Sequence, residues 1–113
     1  MANQILYLDG NRHAEITARG SVLMSGKRVG EIWPDGEVRI NGHRLGQIDE
    51  NGIVTRAGTK VGQVLDNGHV WMNGRKVGEI SPDGTVFMGK DPRGSFEGTR
   101  RDYAALVYFF DFF

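Results

Sequence analysis

Five basic residues stand at intervals of sixteen: Arg12, Arg28, Arg44, Lys60 and Lys76. A row of cations at a fixed interval suits anion binding if the fold brings the row onto one surface. In a closed ring the row would form a circle of positive charge, fit for an anion or a phosphate-bearing ligand. A second use of the row lies three residues on, where Glu15, Glu31, Gln47, Gln63 and Glu79 repeat with the same interval. The two rows can pair on a solvated face, each contact contributing about 0.2–1 kcal/mol. Trp71 and Phe87 also share a repeat slot and are expected near each other, on the face opposite a row of valines. Aromatic rings on such a face either pack or stack on a sugar or base. Trp71, Phe87 and the basic row therefore form the candidate ligand-binding set, for a carbohydrate or an anion.

Other chemistry finds less support. His13, His43 and His69 occupy three different repeat slots and lack the spacing of a zinc site. Ser21, Ser25, Ser81 and Ser95 lie near turns or strand ends, outside any nucleophile motif. Asp35, Asp66 and Asp83 read as turn formers, and Asp49-Glu50-Asn51-Gly52 lacks the spacing of a calcium loop. Neither GxGxxG nor a P-loop occurs. The chain has no cysteine, which excludes disulfides and thiolate metal sites. No catalytic residue, metal or cofactor is expected. The residues that depart from the repeat are His13 in an apolar slot, Arg56 where other copies carry Met or Ile, and an aromatic tail.

The elements that would position these residues follow from the glycines. There are 17 glycines and 3 prolines in 113 residues, a composition of many tight turns in one domain. Gly10, Gly26, Gly42, Gly58 and Gly74 are spaced by sixteen, as are Gly20, Gly36, Gly52, Gly68 and Gly84. A third series is Gly30, Gly46, Gly62 and Gly78, with Ala14 in the first copy. Apolar rows keep the same beat: Ile16, Ile32, Ile48, Val64, Ile80, and Val22, Val38, Val54, Val70, Val86. The full copies are 10–25, 26–41, 42–57, 58–73 and 74–89. Pro34-Asp35-Gly36 fits a three-residue hairpin loop, and Asn41-Gly42 and Asn73-Gly74 fit two-residue type I′ turns. Each copy is thus a hairpin, and the array is an antiparallel meander.

Val77 and Ile80 are three apart, yet both must face the core. A bulge at Gly78, with the glycine left-handed, would reconcile them and bend the strand. Bent at every copy, the meander curls. Ile5–Leu8 match the second strand of an earlier copy, and residues 92–96 roughly match the first strand of a later one. Paired, these pieces would seal the ring and remove its edges. The expected fold is an all-β closed ring of five hairpin repeats, six hairpins if the end pieces pair, over residues 1–98.

The unit Gly74-Arg75-Lys76-Val77-Gly78-Glu79-Ile80 followed by Asp83-Gly84-Thr85-Val86 resembles the repeat of the small bacterial β-flower domains. Those domains carry four or five β-hairpin petals around a pseudo-symmetry axis, and five copies suit the larger version. The resemblance covers residues 3 to about 98 and implies a flower-like all-β fold. It implies no activity and carries over no functional residue.

Residues 99–113 differ. Thr99-Arg100-Arg101-Asp102 resembles a capping box, and Tyr103, Leu106, Val107 and Phe110 fall at helical spacing. Tyr108, Phe109, Phe112 and Phe113 fill the other side, so a short apolar helix is expected to be buried, although the aromatics also permit a strand. It would plug one end of the ring or mediate self-association.

The charges balance, 14 basic against 14 acidic, so no excess favours nucleic acid. The N-terminus lacks the basic and apolar regions of a signal peptide, and no apolar run could span a bilayer. A cytoplasmic, non-catalytic module with a structural or protein-interaction role is expected, with no nucleic-acid or membrane-spanning partner. The alternative is a carbohydrate- or anion-binding module.

Overall fold

A computed structural model describes residues 3–110 and 112–113. Twelve strands follow one another: β1 (Gln4–Leu8), β2 (Asn11–Ile16), β3 (Ser21–Met24), β4 (Lys27–Ile32), β5 (Glu37–Ile40) and β6 (His43–Ile48), then β7 (Ile53–Arg56), β8 (Thr59–Val64), β9 (His69–Met72), β10 (Arg75–Ile80), β11 (Thr85–Met88) and β12 (Asp91–Glu97). One helix, α1 (Arg101–Tyr108), comes last. Every strand pairs antiparallel with its chain neighbours, and β12 pairs back onto β1, so the sheet is a closed barrel. Each 16-residue copy supplies two strands and the end pieces supply one each. The end pieces meet with Leu6 opposite Phe96 and Leu8 opposite Gly94, which makes a sixth, composite hairpin.

Alternate turns lie at opposite ends of the barrel. At one end are two-residue turns such as Asn41-Gly42, with φ of 53° and 80°, the both-positive pattern of a type I′ turn. At the other end are wider turns closed by left-handed glycines. Gly36 has φ of 91°, donates its N–H to the Trp33 carbonyl at 2.8 Å, and accepts from the Ile48 N–H at 2.9 Å. A Cβ on Gly36 would collide with the Ile48 carbonyl oxygen. Each wide turn is thereby fastened to the next hairpin.

The bulge is real, but it is not at the glycine. Lys76 pairs with Trp71 and Gly78 with Val70, so Val77 is the extra residue. Gly30, Gly46, Gly62 and Gly78 pair normally and none has a positive φ. Their requirement is space. A Cβ on Gly62 would lie 2.5 Å from a ring carbon of Phe110 and would also collide with the Trp71 carbonyl. Inserting a residue turns the next side chain over, which is why Val77 and Ile80 can both reach the core.

The inner wall carries Leu6 and the Ile16 and Val22 rows, nearly all fully buried. Twelve strands about 4.8 Å apart give a backbone diameter of about 18 Å or more, wide enough for a helix about 10–12 Å across. That helix is α1. Its residues Tyr103–Tyr108 are buried all round, and Ala104, Ala105 and Leu106 are sealed from solvent. Small residues near its middle keep it within the lumen. Its N-terminus is held at the wide-turn end by Arg101, whose guanidinium donates to the carbonyls of Asp66, Asn67 and Ile80 at 2.8–3.3 Å. The Tyr103 hydroxyl reaches the Trp33 carbonyl on another side of the barrel.

The expected capping box does not form. The N-cap is Arg100, without a side-chain cap, and Asp102 pairs with Arg100 instead. The Gln4 carboxamide of β1 takes its place, accepting from the Thr99 and Arg100 N–H groups at 3.1 and 2.8 Å.

Past Tyr108 the tail turns and lines the inner wall near the tight turns. Its rings visit the third glycine row in reverse order. Tyr108 stands near Gly94, Phe109 at Gly78, Phe110 at Gly62, Phe112 at Gly46 and Phe113 at Gly30. The sixth position of the row is Ala14, which carries its own methyl group. The aromatic rings expected to plug an end or join a partner are thus packed within the chain.

Candidate functional site

The basic row lies where the sequence places it, on the outer wall beside the tight turns, with all five members exposed. The bulge brings i and i+3 onto one face, so the row pairs with the acidic and amide row beside it. Arg12 meets Glu15, Arg28 meets Glu31, and Lys76 meets Glu79 at 3.4 Å. Arg44 donates to Gln47 at 2.6 Å. Lys60 makes no such contact among the described residues, and with Gln63, Trp71 and Asn73 it lines a shallow hollow of about 360 Å³.

Trp71 and Phe87 do not form a pair. Both face outward, but β10 runs between them, so they sit roughly 10 Å apart. Lys76 opposes Trp71 and Glu79 opposes Phe87. The two rings offer no continuous platform for a sugar.

Two of the departures from the repeat converge on the third, the tail. His13 stacks on Tyr108 at 6.0 Å between centroids. Arg56 donates to the Phe110 carbonyl at 3.3 Å and lies 5.0 Å from the Phe112 ring centroid. His43 and His69 are elsewhere, His69 beside Glu79 at 3.4 Å. Ser81 is spent in its turn, donating to Asp83 and to the Thr85 carbonyl. No group of three His, Asp or Glu residues among those described could hold a metal.

What the sequence does not display is the distribution of charge along the barrel axis. Within two residues of a tight turn stand ten cations, namely Arg12, Lys27, Arg28, Arg39 and Arg44, then Arg56, Lys60, Arg75, Lys76 and Lys90. Among the described residues within that span, only Asp9 and Asp91 oppose them. Within two residues of a wide turn stand nine acids, among them Asp35, Asp49, Glu50 and Asp66, against Arg19 in the turns and Arg100 and Arg101 at the start of α1; four of the nine, Glu15, Glu31, Glu37 and Glu79, reach cations of the other group. Neutral as a whole, the molecule has a basic end and an acidic end.

The mouth at the basic end has a regular construction. Six cross-strand pairs close the tight turns: Leu8 with Asn11, Met24 with Lys27, Ile40 with His43, Arg56 with Thr59, Met72 with Arg75, and Met88 with Asp91. Directly opposed residues share a sheet face. Leu8, Met24, Met72 and Met88 pack on the core, so Lys27 and Arg75 also start on the lumen side of the rim. Neither has an ion-pair partner among the described residues. Asp9 is engaged otherwise. Its carboxylate takes two hydrogen bonds from Arg93 at 2.7 and 2.8 Å, which hold its pKa below the usual carboxylate range. The pair clips β12 to the β1–β2 turn at the seam of the barrel.

The acidic mouth contains a cavity of about 670 Å³ between the wide turns and the start of α1. Three of its carboxylates, Asp35, Asp49 and Asp102, have structural uses. Asp49 accepts from the Asn51 and Ile53 N–H groups at 2.9 Å, and Asp35 accepts from the Glu37 N–H, which lowers its pKa. No helix among the described residues is long and apolar enough to cross a membrane. No family model, no curated protein and no solved structure matches the chain.

Proposed function

We propose that the chain is a non-catalytic docking module that takes an anionic partner on its tight-turn face. The observation that carries this reading is the axial segregation of charge, ten cations against two acids at one end. Exposed like charges gathered on one face raise the local potential and steer partners of opposite sign. Several members of the basic row are tied to neighbouring carboxylates, so they contribute less than their number suggests. Lys27, Lys60, Arg75 and Lys90 carry the remainder, being exposed and without ion-pair partners among the described residues. The wider roles of the polar residues are structural: turn formation, strand pairing and anchoring of the helix.

The test is binding of inorganic polyphosphate to the whole chain, followed against salt. The wild type should bind, with affinity falling steeply as salt rises. Lys27→Glu with Arg75→Glu should weaken binding by about tenfold or more without lowering the melting point, since both side chains are exposed and have no ion-pair partner among the described residues. Arg19→Glu, at the other end, should bind as the wild type does. Equal binding by the double variant, or no binding even at low salt, would overturn the proposal.

A further inference from the structure

Resting on the cationic-face reading, we infer that the anionic partner of that face is a lipid surface, met flat by the rim of tight turns. The shape comes first. The molecule is a disc measuring 34 × 32 × 21 Å, and the short dimension matches the length of a six-residue strand, about 20 Å. The barrel axis therefore runs through the disc, and the tight turns ring one broad face. Equivalent turns in equivalent hairpins bring their cations to a common level. A planar anionic surface can meet all of them together, whereas a nucleic-acid rod would meet a strip.

The centre of the face decides between these partners. Inside the rim lie Leu8, Met24, Met72 and Met88, all partly exposed, with Phe109 and Phe113 partly exposed among them. A single strand of nucleic acid offers phosphates to cations and base faces to aromatic rings, and has little use for a ring of aliphatic side chains. A lipid surface offers phosphates and, just beneath them, hydrocarbon. Unbranched methionines adapt to such a boundary. Lys27 and Arg75 rise from the same side of the rim as Met24 and Met72. Their long stems let the charged ends stay at the phosphates while the apolar centre sits deeper. The acidic end imposes orientation, because an anionic surface repels it.

The chain has two tryptophans, one toward each end, which makes the orientation measurable. Trp71 stands two residues before the Asn73-Gly74 tight turn, and Trp33 opens a wide turn. They are 37% and 40% exposed respectively. The experiment mixes the whole chain with phosphatidylcholine vesicles, with and without phosphatidylserine, some carrying brominated acyl chains. Binding should rise by about tenfold or more with phosphatidylserine and fall with salt. Brominated chains should quench emission from the Trp33→Phe variant, which keeps Trp71, more strongly than that of Trp71→Phe, which keeps Trp33 against the Arg39 guanidinium at 4.1 Å. Equal quenching of both variants, or equal binding to neutral vesicles, would overturn the inference. Tighter binding to duplex DNA than to vesicles would overturn it too, while leaving the cationic face standing. Failure to bind vesicles, DNA and polyphosphate alike at low salt would sink both readings.

Discussion

Ala57 holds φ at 52°, in a tight turn where other copies place Asn, Asp or Ser. A left-handed conformation costs an alanine about 1–2 kcal/mol, and asparagine tolerates it better because its short polar side chain can hydrogen-bond locally. Ala57→Asn should therefore raise stability by up to about 1 kcal/mol, read as a shift in denaturant midpoint at constant slope. A lower midpoint would contradict the account of that turn. Gly62 makes the opposite case. Its φ is ordinary, yet a Cβ there would press on Phe110 and the Trp71 carbonyl. Gly62→Ala should cost about 1–3 kcal/mol by overpacking, and a neutral result would show that the wall yields. The glycine periodicity was visible in the sequence, but the reason for the third row was not. Spacing reveals that a side chain is excluded without revealing what excludes it. Here the excluding atoms are a neighbouring carbonyl and rings some fifty residues away, as with Phe110 at Gly62.

At the scale of elements, the strands were the most legible because period-2 rows and turn residues agree with one another. The helix was legible from its spacing, but its start was not. Thr99 and Asp102 have the right types for a capping box, but Gln4 from the first strand accepts from the Thr99 and Arg100 N–H groups instead. A long-range partner of that kind leaves no local signal. The spacing extends the helix past Tyr108, with Phe110 on one face and Phe109, Phe112 and Phe113 on the other; α1 ends at Tyr108, and these rings each take one hairpin. The tail's weight in the fold can be measured. Phe110 is 3% exposed, and Phe110→Ala should cost about 3–5 kcal/mol, a large part of the stability of a small domain. Phe113→Ala, at a partly exposed ring, should cost clearly less. Equal losses, or none, by thermal and chemical denaturation would remove the tail from the core.

For the whole molecule, closure could be read from the half-copies at the two ends, because their rows continue the repeat into one another. The Asp9–Arg93 clip at that seam could not, since Arg93 is a bulged residue and its position depends on the register of the closed sheet. Charge polarity was hidden for a different reason. Basic and acidic residues alternate along the chain every few positions and cancel in the total. Antiparallel folding sends alternate turns to opposite ends, and that sorting converts a neutral sequence into a polar disc.

Ion exchange at pH 7 and low salt measures that polarity directly, since the formal net charge there is zero. The wild type should be retained by a cation exchanger and, separately, by an anion exchanger, each holding the opposite face. Lys27→Glu with Arg75→Glu should lose retention on the cation exchanger and keep it on the anion exchanger. A wild-type chain that flows through the cation exchanger would contradict the existence of a working cationic face.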